Sequence, residues 1–227
     1  MKNSNIEEEK TEIQDFRIYQ DRIRILLIIY YFSDDYDATD NKGFVKVFKS
    51  EVKIQAIDFL IRYPDYLAYE LLNLLISDGK LEKEQIKEVV KEIFTTNEPI
   101  IRNIEMEKFF FGAYEDIDDI IAFLVSISFI HFESKKRSDG RIGEKYYYLT
   151  KLGVDKIEKE LKPYESLQWY FTRCQLIKTF FGDESGSNLK ALQYNHKEYK
   201  DTALKEYIPM IVDKTKNMYK DIFGEDL

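Results

Sequence analysis

The chain has 227 residues, of which 44% are hydrophobic and 33% charged, the balance of a soluble globular protein with a sizeable core. Its formal net charge of −8 would repel nucleic acid, so a grip on phosphates would need a local basic patch. The single cysteine, Cys174, excludes an internal disulfide and fits a reducing compartment. No apolar run approaches the length of a membrane span, and the first ten residues lack the apolar stretch of a signal peptide, so with its single thiol we expect a cytoplasmic protein.

The N-terminal part of the sequence favours helices separated by polar turns. Residues 1–13 are polar and acidic, and we expect them to be mobile, ahead of a helix over residues 14–32. An Asp-rich loop at residues 33–43 precedes a short strand over residues 44–48. Three more helices with apolar side chains at helical spacing are predicted over residues 50–63, 65–77 and 81–94. We assign residues 14–97 to one N-terminal helical part.

Residues 98–162 predict a winged-helix-like module. An amphipathic helix is indicated by apolar side chains at helical spacing, namely Ile117, Ile120, Ile121, Leu124 and Val125. A strand, a charged hairpin and a return strand follow over residues 129–132, 135–145 and 146–149. Thr150 is a suitable N-cap for the next helix. The order helix, strand, charged hairpin, strand, helix is typical of a winged helix.

The C-terminal part, residues 163–227, is predicted to be helical again. One helix covers residues 166–181, and Ser187 is expected to cap a short helix over residues 188–193. A last helix over residues 206–223 would hold Pro209 in its first turn. The predicted fold is therefore mainly α with a small β-wing, a winged-helix-like module flanked by N- and C-terminal helices.

Two loops resemble ligand-binding motifs but fail their templates. A calcium loop starting at Asp35 needs glycine at its sixth position and glutamate at its twelfth, which are Asp40 and Lys46 here. The segment Gly182–Gly186 has three residues between its glycines where a phosphate-binding loop needs four, and Ser187 stands where that loop needs lysine. Solvated or helix-capping loops are the simpler interpretation.

The sequence offers no catalytic constellation. His131 and His196 are the only histidines, and neither has a partner at metal-ligand spacing. Ser187 and Lys190 match a serine–lysine acyl-transfer spacing, but its partner motifs are absent. Spacing leaves a Ser-His-Asp arrangement open, since such residues are distant in sequence, although nothing marks a nucleophile. We therefore predict a protein that is not an enzyme, with no catalytic residue, metal or cofactor of its own.

The predicted wing is locally basic, with five Lys or Arg side chains against Asp139 and Glu144. Its candidate contacts to a DNA backbone are Lys135, Lys136, Arg137 and Arg141. The alternative is a hairpin tip whose charges only keep it solvated. Asp118 and Asp119 on the preceding helix would repel phosphate, and a sequence-reading helix normally offers Arg, Lys, Asn or Gln. This balance favours a winged-helix-like module that binds protein.

The aromatic runs FFFGAY (residues 109–114) and YYY (residues 146–148) hold more aromatic side chains than one winged helix needs for its core. Most are expected to be core, but Tyr and Phe are also enriched as anchors of protein interfaces. The candidate interface residues are Phe109, Phe110, Phe111, Tyr114, Tyr63 and Tyr66.

Four stretches together resemble the middle component of the bacterial ABC-three-component defence systems, which includes the small subunit of Lamassu-type systems. They are RIRILLIIYYF, FKSEVKIQAIDFLIRYPDYLAYELL, FFFGAYEDIDDIIAFLVSISFIHF with YYYLTKLGVDKIEKEL, and IKTFFGDESGSNLKALQY. They span roughly residues 22–195 in the expected order, and the second carries Lys53, Asp58, Phe59, Arg62, Pro64 and Leu67. Residues 112–115 are Gly-Ala-Tyr-Glu where the family pattern has Gly-Pro-Trp-Asp.

The resemblance implies a non-catalytic accessory subunit of an antiviral or anti-plasmid complex. Such a subunit bridges an ATPase similar to the SMC and Rad50 proteins and restrains an effector, often a nuclease, until foreign DNA is sensed. ATP and metal chemistry would then belong to the partners, and DNA would be met through the complex. The alternative is a winged-helix transcriptional regulator that binds DNA by itself.

Overall fold

The computed structural model describes residues 2–37, 43–79, 81–109, 112–113, 116–136 and 142–227. Within these residues the chain is mostly helical, with a four-stranded antiparallel sheet and a separate two-stranded one. The expected mainly α fold with a small β part is therefore confirmed. None of the described helices is long and apolar enough to cross a membrane.

The elements follow each other in an order that interleaves helices with short strands. The helices are α1 (Lys2–Phe32), α2 (Glu51–Arg62), α3 (Pro64–Ser77), α4 (Lys83–Thr95), α5 (Glu98–Ile101), α6 (Asp118–Ser126), α7 (Lys151–Lys156), α8 (Gln168–Phe181), α9 (Gly186–Asn195), α10 (Lys197–Asp201) and α11 (Val212–Phe223). The strands are β1 (Asp34–Asp35), β2 (Phe44–Phe48), β3 (Lys108–Phe109), β4 (Gly112–Ala113), β5 (Ile130–Lys136) and β6 (Ile142–Thr150). A π-helical turn, Ile157–Leu161, continues α7, and a 3-10 turn, Glu165–Leu167, precedes α8.

Local sequence signals placed several of these elements correctly. Tyr63 separates α2 from α3, because the residue before Pro64 avoids helical geometry. The amphipathic pattern forms α6, and the charged hairpin joins β5 to β6. Thr150 caps α7 as expected, since its hydroxyl accepts a hydrogen bond from the backbone N–H of Gly153 at 3.0 Å.

Several element boundaries differ from the prediction. Helix α1 begins at Lys2 and not at residue 14, because the charged N-terminal residues are themselves good helix formers. Ser185 caps α9 in place of Ser187, and its hydroxyl accepts from the N–H of Asn188 at 3.1 Å. The last helix begins only at Val212, so Pro209 lies before it, and α10 was not predicted. The expected loop after α1 contains the short strand β1.

The chain divides into two compact units, each made of two segments that are distant in sequence. Unit 1 comprises Met1–Ile54 and Asp116–Lys178, and unit 2 comprises Gln55–Glu115 and Thr179–Leu227. The sequence predicted consecutive parts instead, because hydrophobic periodicity locates an element without showing which distant element it packs against.

Unit 1 is built around the four-stranded sheet, whose strands lie in the order β1-β2-β6-β5. Helix α1 contacts β2, β6 and α6 and contributes a buried run from Ile25 to Ile29. Phe48 and Tyr147, which lie opposite each other on β2 and β6, are buried as well. Burial of this continuous apolar surface is what stabilises the unit.

Tyr63 and Tyr66 lie in the core of unit 2, where both side chains are 0% exposed. Their rings pack on Phe59, with centroid distances of 4.8 and 4.9 Å. The Tyr63 hydroxyl accepts from the N–H of Met106 at 2.9 Å and donates to a carbonyl, and the Tyr66 hydroxyl donates to the carbonyl of Pro209 at 3.0 Å. The prediction that these two tyrosines form a protein interface is wrong for this fold, because their rings and hydroxyls are used inside the unit.

The buried guanidinium of Arg62 also stabilises unit 2. Arg62 is 0% exposed, and its guanidinium lies 3.5 Å from the carboxylate of Asp58, one helical turn earlier. The same guanidinium donates to the carbonyls of Ile104 and Glu105 at 3.0 and 2.5 Å. It thus ties the end of α2 to the segment that follows α5.

Candidate protein-binding site

In unit 1, helix α6 covers one face of the β5–β6 hairpin. Phe132 pairs with Tyr147 across the hairpin, and Ser134 pairs with Lys145. Side chains at alternate strand positions share a face, so these four lie together, and the rings of Phe132 and Tyr147 have centroids 5.3 Å apart. This is the face toward α6.

A groove of about 400 Å³ opens between α6 and this face of the hairpin. Its lining is predominantly apolar and is formed by Asp118, Ile121, Ala122, Val125, His131, Phe132, Ser134, Lys145 and Tyr147. Val125 is 37% exposed although it lies on the apolar side of α6. The groove therefore presents apolar surface that unit 1 itself leaves uncovered, a feature typical of sites that bind protein.

Charges of both signs border the groove. The ammonium of Lys145 pairs with Glu51 and lies 3.9 Å from the carboxylate of Asp118 at the start of α6. Glu51 also accepts a hydrogen bond from the hydroxyl of Tyr147 at 3.0 Å. The charge of Lys145 is therefore already partly neutralised at this end of the groove.

The predicted DNA-contact residues lie only partly within the described structure. Lys135 and Lys136 are exposed at the far end of β5, and the Lys135 ammonium lies 4.6 Å from the ring centre of Tyr146. Arg137 and Arg141 lie outside the described residues. The two described lysines form the exposed end of β5, directly after Ser134, which lines the groove.

Helix α6 begins with acidic side chains. Asp118 and Asp119 occupy its first turn, and both are exposed. Asp116 accepts a hydrogen bond from the N–H of Asp118 at 2.9 Å, which satisfies one of the amide groups at the helix start. Carboxylates in this position would repel DNA phosphates, as the sequence indicated.

The opposite face of the sheet carries a half-exposed aromatic cluster. Phe44 stacks on His131 and on Tyr148, with centroid distances of 5.0 Å in both cases. The His131 side chain remains 45% exposed and lies 3.3 Å from Glu133. His131 thus belongs to a surface stacking arrangement.

Of the predicted interface residues, Phe109 ends β3 in unit 2 and is 44% exposed. The remaining residues of that set, Phe110, Phe111 and Tyr114, lie outside the described residues. Sequence reasoning missed the groove itself, although the alternation of apolar and polar residues in IHFES was a usable signal that one strand face would meet α6.

The other histidine is buried in unit 2. His196 is 2% exposed, and its Nε2 lies 2.5 Å from an oxygen of Glu70, which is 4% exposed. The rings of Tyr66 and Tyr69 stand 4.8 and 5.0 Å from the imidazole. Glu70 also borders a shallow pocket of about 350 Å³, but the imidazole itself is enclosed by the two tyrosines. A buried His–Glu pair in this setting joins α3 to the end of α9.

Over the described residues, no group of three or more His, Cys, Asp or Glu side chains has the arrangement to hold a metal ion. Comparisons of the chain with protein-family models, with curated proteins and with solved structures found no match.

Proposed function

We propose that this chain is a non-catalytic subunit that binds partner proteins through unit 1. The observation that carries the proposal is the apolar groove between α6 and the β5–β6 hairpin. A groove of this kind can accept apolar side chains of a partner, while the charges at its border set the partner's orientation.

Topology supports a winged-helix-like description of unit 1. Helix α6 leads directly into β5, the hairpin joins β5 to β6, and β6 pairs with the earlier strand β2. In a winged helix the second strand of the wing likewise pairs with the first strand of the module. The acidic start of α6 favours protein over DNA as its main partner.

The resemblance of the sequence to the middle component of ABC-three-component defence systems indicates which partners to test. They are an ATPase similar to SMC and Rad50 proteins and an effector subunit such as a nuclease, within a bacterial defence complex that senses foreign DNA. Co-expression with the products of neighbouring genes, followed by affinity purification and mass measurement, should yield a stable assembly with such an ATPase. Recovery of this chain as a lone monomer beside the expressed ATPase would contradict the proposal.

Paired variants locate the interface. Val125→Glu places a charge in the groove and should weaken the assembly by at least about tenfold. Val52→Glu is the matched control, because Val52 is 45% exposed and does not line the groove. Equal loss of assembly in both variants would argue against the groove as the binding site.

A DNA-binding regulator is the second candidate function, and the exposed Lys135 and Lys136 favour it. Such a protein binds a labelled DNA duplex alone, with an affinity that falls steeply as salt rises. The double variant Lys135→Glu with Lys136→Glu should then reduce both the affinity and its salt dependence. Absence of duplex binding by the isolated wild-type chain would eliminate this candidate.

A further inference from the structure

Strand β5 is the outer strand of the sheet in unit 1, and its hydrogen-bonding pattern shows which backbone groups face outward. The N–H of Thr150 donates to the carbonyl of Phe129 at 3.1 Å, and the register places these two residues opposite each other. Bonded and non-bonded pairs alternate along an antiparallel ladder. His131 and Glu133 therefore direct their N–H and C=O groups to β6, whereas Phe132 and Ser134 direct theirs away from it.

Within the described part of the chain, no hydrogen bond connects the backbone of Phe132 or Ser134 to another element. An edge of this kind is a template for an additional strand. The side chains of the same two residues line the groove. A strand paired with β5 would therefore project every second side chain into the groove, against Ala122 and Val125 of α6.

We propose that this edge and groove together bind an extended segment of a partner protein by strand addition. Its alternate residues are apolar where it passes Phe132, and it carries an acidic residue beside Lys135 and Lys136. The groove supplies the apolar complement and the two exposed lysines supply the charge complement. This inference rests on the proposed function, since it specifies the chemistry of the partner at the same site.

Synthetic peptides test the inference on the full-length chain. The probes are two labelled peptides of alternating Val and Thr, one with two Asp residues at its N-terminus and one with them at its C-terminus. Matched controls carry Lys in place of Asp. One Asp peptide should bind with at least about tenfold preference over its Lys control. The charge-reversed variant Lys135→Glu with Lys136→Glu should invert that preference, and lack of binding by every peptide would overturn the inference.

Amide hydrogen exchange gives a readout that other binding modes do not share. On peptide binding, the amides of Phe132 and Ser134 should exchange at least about tenfold more slowly, while those of His131 and Glu133 are protected in both states. Binding without this change would refute strand addition. Protection of the same two amides in the free chain, together with a dimeric mass, would show that a second copy is the occupant and would refute the peptide assignment.

A proline substitution at Ser134 distinguishes failure of this inference from failure of the proposed function. Ser134→Pro removes an outward N–H and leaves the bonds to β6 intact, whereas Ser134→Thr keeps the N–H. In the assembly with the ATPase, Ser134→Pro should weaken binding by at least about tenfold and Ser134→Thr should not. If both variants assemble normally while Val125→Glu does not, strand addition is wrong and the groove is still the interface. If no assembly forms with the wild-type chain, the proposed function fails.

Discussion

A Cβ atom on Gly153 would lie 2.3 Å from the carbonyl oxygen of Phe129, far inside van der Waals contact. That carbonyl also accepts hydrogen bonds from the N–H and the hydroxyl of Thr150, at 3.1 and 3.2 Å. The carbonyl of Phe129, just before β5, therefore contacts both the end of β6 and the start of α7 in unit 1.

Replacing Gly153 by alanine should destabilise the chain. The added methyl group meets backbone atoms that cannot rotate away, so Gly153→Ala should lower the free energy of unfolding by about 1–3 kcal/mol. Urea denaturation followed by circular dichroism measures the change. Gly79→Ala is the control, because nothing lies within 4 Å of a Cβ built there. Indistinguishable denaturation midpoints for the two variants would contradict the steric argument.

The Tyr63 hydroxyl should contribute to stability through its two hydrogen bonds. Tyr63→Phe keeps the buried ring but leaves the N–H of Met106 and the carbonyl of Ile208 without this partner. The expected loss in the free energy of unfolding is about 1–3 kcal/mol. Tyr207→Phe, at a side chain that is 58% exposed, should be close to neutral in the same denaturation experiment. A neutral Tyr63→Phe would show that these bonds contribute no net stability.

Stability should also fall at alkaline pH through Tyr63. Burial raises the pKa of Tyr63 from its ordinary value of 10.0 to about 12. The folded chain thus keeps a proton that the unfolded chain releases, so the contribution of Tyr63 to stability is constant below about pH 9 and decreases between about pH 10 and 12. Free energies of unfolding measured across this range should decline less steeply in Tyr63→Phe than in the wild type. Parallel declines would assign the effect to other tyrosines.

Arg62 should be among the most sensitive positions of unit 2. Arg62→Met removes the ion pair with the buried Asp58 and the hydrogen bonds to the carbonyls of Ile104 and Glu105, for an expected loss of about 3–5 kcal/mol. Adding Asp58→Leu to the same variant should recover part of the loss, because the buried carboxylate is removed with its cation. Thermal denaturation of the two variants and the wild type measures both effects. A double variant less stable than Arg62→Met would contradict the ion-pair explanation.

Most single elements were predictable because their signals are local. Periodic apolar side chains defined α6, Pro64 separated α2 from α3, and Thr150 capped α7. The pairing of strands was not predictable, since nothing near β2 in sequence shows that Phe48 lies opposite Tyr147 of β6. Because of long-range pairing of this kind, each of the two units combines two segments that are distant in sequence.

The site was predictable only in outline. Its charged hairpin and amphipathic helix were visible as patterns, but the groove depends on how α6 packs against the β5–β6 hairpin. Tyr66 illustrates a second limit, which is that burial cannot be predicted from residue type alone. An aromatic residue at an interface and one in a core have the same sequence signature, and only the fold shows that Tyr66 donates to the carbonyl of Pro209 inside unit 2.

The discontinuity of unit 1 has a consequence for synthesis on the ribosome. Strand β2 is made early, but its main partner β6 emerges only after the whole first segment of unit 2 has been translated. Until then the apolar run of α1 and the edge of β2 that faces β6 lack their native cover, the condition in which nascent chains aggregate or recruit chaperones. Truncation anywhere before β6 should therefore leave an N-terminal fragment that cannot complete its sheet.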